Sequence, residues 1–215
     1  MFSAQMAEFV EAVTARRSPA ARWTMAGMAS GQEPTRINVG GQHPFATPPA
    51  RRDPARRLRG RLVAPVTVWT AGSPSDGAGL TVSSVLVAEG EPARLLGLVD
   101  PTSAFWEAAQ EAGAFVVHVL AAGDRALAER FGEIRPPVRG AFAGLDVAES
   151  PWGPVLGGRR PRAACRLAGA TTVGYAELVE GVIERPEPHD LDDPLAYLHG
   201  RYVSVRDLED PEGLG

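Results

Sequence analysis

Val63-Ala64-Pro65-Val66-Thr67-Val68-Trp69-Thr70 is a dense, largely β-branched run, and Ala71-Gly72-Ser73-Pro74-Ser75-Asp76-Gly77 follows it with a strong turn signal. The chain changes character here. Downstream, residues 80–88 and 93–99 read as further strands. Residues 103–113 read as a helix that Gly113 stops, and 114–120 as a strand. Residues 124–132 form a second helix with Leu127 and Phe131 four apart on its inner side. After a loop-rich stretch at 136–154, residues 163–168, 176–185 and 202–205 complete the strands. Seven or so short strands with two inserted helices describe a mainly β protein, a small barrel rather than a doubly wound sheet. No internal repeat and no Gly-x-Gly-x-x-Gly occurs, which argues against a dinucleotide-binding α/β fold.

Upstream, residues 18–50 are rich in Gly, Pro, Ser, Thr and Ala and read as a linker or loosely packed arm. Residues 1–17 place Phe2, Met6, Phe9, Val10 and Val13 on one face of a short helix. Such a face docks on the body or on a second subunit; Glu8 and Glu11 speak against a targeting peptide. Asp53-Pro54 is a helix start, with Asp as cap and Pro in the first turn. The expected organisation is an N-terminal helical or disordered arm at 1–52, a barrel domain at 53–206 and a tail at 207–215.

A chain of 215 residues with 44% hydrophobic and 22% charged residues has an ordinary globular balance. No apolar run approaches the roughly 18–20 residues of a membrane span, so a cytoplasmic address and no membrane partner are expected. All 22 basic residues are Arg, which excludes a Lys Schiff base and a phosphate-loop Lys. Residues 1–61 hold ten Arg against four acids, and 62–215 hold twelve against twenty-two, which together give the net −4. The acidic main domain argues against nucleic acid as a partner. One Cys and four scattered His give no zinc-type spacing, so no metal is expected. Cys165 reads as a small core residue, and His118 points either into the barrel or out of it.

No Gly-x-Ser-x-Gly elbow, phosphate loop or His-Glu-x-x-His is present, and no catalytic cluster is expected. The informative segment is Gly79-Leu80-Thr81-Val82-Ser83-Ser84. Gly permits close backbone approach, and hydroxyls and edge N–H groups can satisfy the polar rim of a flat heterocycle. The same pattern also serves ordinary strand-edge hydrogen bonding. Beyond it, Val99-Asp100-Pro101-Thr102-Ser103 leads into a helix whose start suits a phosphate, and Arg130 offers a cation. Ser103 as a plain N-cap and Arg130 as a surface ion-pair partner are the competing readings.

The order of motifs resembles the flavin reductase-like, FMN-binding split-barrel family. Pro65-Val66-Thr67-Val68-Trp69-Thr70 and Gly79 to Ser84 are similar to the family's opening. Phe115-Val116-Val117-His118-Val119-Leu120 is similar to its Phe-x-Val-Asn-Val-Leu strand. Ala128-Glu129-Arg130-Phe131-Gly132, Phe142-Ala143-Gly144, Pro154-Val155-Leu156, Cys165, Pro194-Leu195-Ala196-Tyr197 and Gly200-Arg201-Tyr202 follow in family order. The resemblance spans residues 59–202.

The resemblance implies a split-barrel homodimer with FMN, or FAD or riboflavin, at the subunit interface, and NADH or NADPH as cosubstrate. Reduced flavin would pass to a separate monooxygenase. It implies that Gly79, Leu80, Thr81, Val82, Ser83 and Ser84 line the isoalloxazine and ribityl groups. Val99, Asp100 and Ser103 would lie along the ribityl and phosphate, and Arg130 and Phe131 at the phosphate end. Two departures stand out. Ala104-Phe105 replaces the second hydroxyl residue after the helix-starting Ser, and Phe105 is positioned to block a phosphate contact. Val173-Gly174-Tyr175 stands where family members carry Gly-Asp-His, so Tyr175 becomes the nicotinamide-side candidate. The alternative is a flavin-binding module, whether carrier, sensor or monooxygenase component, without nicotinamide turnover.

Overall fold

The computed structural model describes residues 54–132 and 140–206; the expectations for the arm, for Asp53 and for the C-terminal tail lie outside the described residues. In chain order the elements are α1 (Pro54–Arg59), β1 (Ala64–Pro65), β2 (Thr67–Ala71), β3 (Ala78–Val82), β4 (Leu86–Ala88), β5 (Arg94–Val99), α2 (Ala104–Ala112) and β6 (Ala114–Val119). A 3-10 turn at Ala122–Asp124 then leads into α3 (Arg125–Arg130). β7 (Val147–Ala148), β8 (Val155–Leu156), β9 (Arg162–Val173), β10 (Ala176–Glu187), β11 (Leu195–Leu198) and β12 (Arg201–Ser204) follow.

The main sheet has seven strands in the order β3-β2-β6-β9-β10-β5-β4, all antiparallel. Its two outermost strands, β3 and β4, are joined by residues 83–85 alone. Such a link reaches at most about 14 Å, whereas six strand spacings laid flat would separate the edges by about 29 Å. The sheet must therefore curl until its edges meet, and it closes as a barrel. Ser84, in this link, continues the pairing of β4 with β5. Its Oγ donates to Leu98 O at 3.1 Å and accepts from Leu98 N at 2.9 Å, so one hydroxyl replaces a rung of the ladder.

Period-2 patterning decides which side chains fill the barrel. Trp69, Leu80, Val82, Leu95, Val99, Phe115, Val117 and Val179 form one buried cluster, capped by Phe105, Trp106 and Ala109 of α2. Trp69 and Phe115 stack with centroids 5.0 Å apart, and Phe105 meets both rings edge-on. Gly97 makes room for this. A Cβ there would stand 2.7 Å from the Trp69 ring. On the opposite side, Val68 of β2, Val66 just before it and Leu120 just after β6 pack against Ala128, Phe131, Phe142, Leu156 and Leu195 in a second cluster. Buried on both faces, β2 satisfies its polar groups internally: Thr67 Oγ1 donates to Val82 O at 2.6 Å and Trp69 Nε1 donates to Thr67 Oγ1 at 3.0 Å.

Three expectations need correcting. Residues 80–88 are two strands, because the chain leaves one sheet edge at Val82 and joins the other at Leu86. Residues 63–70 are also divided: β1 pairs with β11 in a separate three-stranded sheet with β12, while β2 joins the barrel. Val66 sits at the branch, donating to Leu195 O and accepting from Leu120 N. Finally, β9 and β10 run twelve residues each, so the hairpin projects past the barrel.

Candidate flavin-binding site

β3 is an edge strand with a ladder partner on one side only, so half of its backbone groups face away from the sheet. Its outward face is Gly79 and Thr81, since Ala78, Leu80 and Val82 point into the core. Leu80 and Val82 thus offer an outer site only their backbone. α3 covers this face. Thr81 N donates to Phe131 O at 2.8 Å, and Thr81 Oγ1 donates to Ala128 O at 2.8 Å. Gly79 is required by the ring of Phe131, which lies 2.6 Å from where a Cβ would stand. Arg130 is held rather than ion-paired: Nε donates to Ala141 O at 3.0 Å and Nη2 to Ala143 O at 2.7 Å, which leaves Nη1 uncommitted among the described residues.

At the other end of the segment, Ser84 is committed to Leu98, while the half-buried Ser83 hydroxyl has no partner among the described residues. Leu98 leads directly to Val99, whose side chain is in the core, and to Asp100. The Asp100 carboxylate accepts from Thr102 N at 2.8 Å and Thr102 Oγ1 at 2.7 Å. Ser103 caps α2: its Oγ donates to Asp100 O at 2.7 Å and accepts from Trp106 N at 3.3 Å. Phe105, expected to obstruct a phosphate here, is fully buried against Trp69 and Phe115 and obstructs nothing. Segment 79–84 therefore touches α3 at one end and the end of β5 at the other.

Glu177 on β10 is the cross-strand partner of Val99, so the hairpin tip lies beyond the same end of β5. Gly174, at φ 61°, takes the first position of the two-residue turn between Val173 and Ala176, and Tyr175 is fully exposed at the tip. Between the hairpin and α2 lies a cavity of about 450 Å³ lined by Trp106, Gln110, Leu167, Gly169, Ala170 and Glu177. Thr172 Oγ1 donates to Glu177 Oε1 at 2.8 Å. Sequence reasoning missed this cavity, whose residues come from two distant segments, and missed Ala141 and Ala143 as the anchors of Arg130. Thr102 was also passed over, although Asp-Pro-Thr-Ser is a turn motif that brings its hydroxyl to the helix start.

His118 and Cys165 are not poised as an acid, base or nucleophile near neutral pH. His118 is buried on the outer face of β6 and its Nε2 accepts from Leu156 N at 3.0 Å. Burial, with Arg160 and Arg162 nearby, pushes its pKa down to about 3. Burial, aided by Glu184, pushes the Cys165 thiol up to about 12, in keeping with a core residue. Among the described residues no group of His, Cys, Asp and Glu could hold a metal ion, and no described helix is long and apolar enough to cross a membrane.

The chain is 32% identical over 166 residues to an FMN reductase (NADH), RutF, of Ancylobacter novellus, covering 77% of this chain and 91% of the relative. It is 30% identical over 167 residues to the FMN reductase (NADH) SmoA of Agrobacterium fabrum, covering 77% and 93%. Its fold matches BorF, the flavin reductase component of a bacterial two-component tryptophan halogenase, with a TM-score of 0.63 and 26% identity over 70% of this chain and 98% of that one. The model of the flavin reductase like domain matches residues 59–206, and the chain belongs to that family.

Proposed function

We propose that this chain binds FMN along residues 79–84 and reduces it with NADH or NADPH. The observation that carries this reading is the state of the seam segment. It is fixed at Thr81 by α3 and at Ser84 by β5, while the Ser83 hydroxyl within it and Nη1 of Arg130 on α3 remain uncommitted among the described residues. That donor set fits a phosphorylated flavin: the Ser83 hydroxyl for the polar ring edge or ribityl chain, and the Arg130 guanidinium, at the α3 end of the segment, for the phosphate. Flavin, when bound, would supply the redox chemistry as the acceptor of hydride from the nicotinamide. The chain's own residues position the reactants and need not exchange protons. The test is steady oxidation of NADH or NADPH on addition of FMN. No turnover with either nucleotide at saturating FMN rejects the reductase.

One observation favours a second reading. Tyr175 stands fully exposed at the hairpin tip, where the family resemblance leads one to expect a Gly-Asp-His sequence. A carrier or sensor that holds flavin without nicotinamide turnover is the alternative, and tight flavin retention with no nucleotide oxidation would establish it.

The outer face of β4, β5 and β10 supports a homodimer. Leu86 is 70% and Leu98 41% exposed, and their cross-strand partners Leu96 and Leu178 share that face. A second copy related by a two-fold axis would cover these residues and give two equivalent flavin sites. Delivery of reduced flavin to a separate monooxygenase component is the use we propose, and a cytoplasmic address suits a chain whose single cysteine is a buried free thiol. Sedimentation that shows a monomer unchanged by FMN would overturn the dimer.

A further inference from the structure

Three buried side-chain nitrogens among the described residues have no hydrogen-bond partner: His118 Nδ1, Arg160 Nε and Arg160 Nη1. They belong to one place in the fold. His118 on β6 is the cross-strand partner of Arg162 on β9, and Val119 N donates to Pro161 O at 2.9 Å. The two side chains also grip consecutive residues. His118 Nε2 accepts from Leu156 N at 3.0 Å, and Arg160 Nη2 donates to Gly157 O at 2.7 Å. His118 is 0% and Arg160 7% exposed, so bulk water does not serve either group.

All three orphaned atoms are donors. Because Nε2 accepts, the neutral imidazole carries its hydrogen on Nδ1, and a guanidinium has no acceptor to offer. The surrounding charged groups are already engaged. Asp124 lies 3.4 Å from Arg160 Nη2 and accepts from Ala121 N, and Arg162 is bound to Glu187 at 2.6 Å. A single water would accept from two of the orphans but would then need acceptors for its own two hydrogens, and no buried unpartnered side-chain acceptor is present among the described residues. A species that only accepts, and carries negative charge, suits donors of this kind.

We propose that His118 and Arg160 form a buried site for a small inorganic monoanion of chloride size. It sits behind the candidate flavin site. Asp124, the Arg160 partner, opens α3, and Leu156 shares a buried cluster with Ala128 and Phe131. An anion there firms the support on which α3 meets β3, and it binds the folded chain alone, so it stabilises by mass action.

The experiment uses the full chain. Thermal unfolding is followed in sodium chloride, bromide and gluconate at matched ionic strength, and crystals are soaked in bromide. The expected result is a saturable rise in Tm with chloride and bromide but not gluconate, its loss in Arg160→Met, and an anomalous bromide peak within hydrogen-bond distance of both side chains. If Arg160→Met does not fold, the bromide peak in the unaltered protein decides alone. Equal rises in all three salts, or an ordered water in place of the bromide, overturn the proposal.

Discussion

The ring of Phe131 occupies the space that a side chain at position 79 would need: its Cδ1 and Cε1 lie 2.6 and 2.7 Å from the position of a Cβ on Gly79. The contact couples the end of α3 to the outer face of β3, and both are parts of the candidate site. Gly79→Ala must push the ring away, and with it the Arg130–Phe131 end of the helix. A loss of roughly 1–3 kcal/mol in stability is expected, together with weaker FMN binding. Phe131→Leu in the same chain should recover part of both losses. Urea midpoints and FMN fluorescence titrations on the two single variants and the double variant measure the coupling. Strict additivity would show that the contact is immaterial.

Arg130 spends Nε and Nη2 on the carbonyls of Ala141 and Ala143, so its guanidinium is aimed before any ligand arrives. If Nη1 meets the flavin phosphate, Arg130→Ala should weaken FMN by roughly 1.5–3 kcal/mol and riboflavin, which has no phosphate, far less. Equal losses for the two ligands would leave Arg130 as a clamp on residues 141–143 and nothing more.

The barrel was legible where one face of a strand is buried and the side chains alternate. Ala78, Leu80 and Val82 on β3, and Leu95 and Val99 on β5, are buried in the core while Gly79, Thr81, Leu96 and Leu98 are not, and show that period directly. The helix caps were legible because Ser103 and Gly113 act locally. The seam was not legible. Residues 83–85 look like the middle of a strand, and only the order of distant strands shows that they must cross from β3 to β4. The direction of Phe105 was hidden for the same reason: its partners Trp69 and Phe115 come from two other strands. Ser84 reads as a ligand contact by motif, whereas its hydroxyl is already committed to both backbone groups of Leu98. Ser84→Ala should therefore cost about 1–2 kcal/mol of stability even without flavin, read as a shift in urea midpoint. An unshifted midpoint in the flavin-free protein would show that the seam does not depend on this hydroxyl.

His118 makes stability depend on pH. In the unfolded chain it titrates near 6.5, while the folded protein holds it down to about 3. Between those values the unfolded state carries one more proton, so stability falls as pH drops from 6.5 toward 3, at about 1.4 kcal/mol per pH unit once well inside the window. Glu184 is held below its usual 4.5 by hydrogen bonds from Trp152 and Arg166, and Glu187 by one from Arg162. Their contribution is present above pH 4.5 and is lost as pH falls further, so it adds to the slope only at the acid end. Urea midpoints measured from pH 6.5 to 5 isolate the histidine. His118→Asn should flatten that stretch, and an unchanged slope would assign the effect elsewhere.

Tyr175 separates the two readings of the site. It is fully exposed at the hairpin tip, and the turn that carries it rests on Gly174 at φ 61° rather than on the tyrosine. Removing the ring should therefore leave folding and flavin affinity alone. The hairpin tip lies beyond the end of β5 that leads to Asp100 and Ser103, because Glu177, two residues on, faces Val99. A nicotinamide brought to a flavin at that end would meet the tyrosine ring, and stacking on an aromatic face is worth roughly 0.5–1.5 kcal/mol. Tyr175→Ala is then expected to raise KM for NADH several-fold with the Kd for FMN and the Tm unchanged. Tyr175→Phe, which keeps the ring, should restore KM. Steady-state kinetics at saturating FMN give the first quantity, and fluorescence titration with thermal unfolding gives the other two. An unchanged KM in Tyr175→Ala would remove the tyrosine from the nicotinamide side. A fall in FMN affinity would instead place it against the flavin.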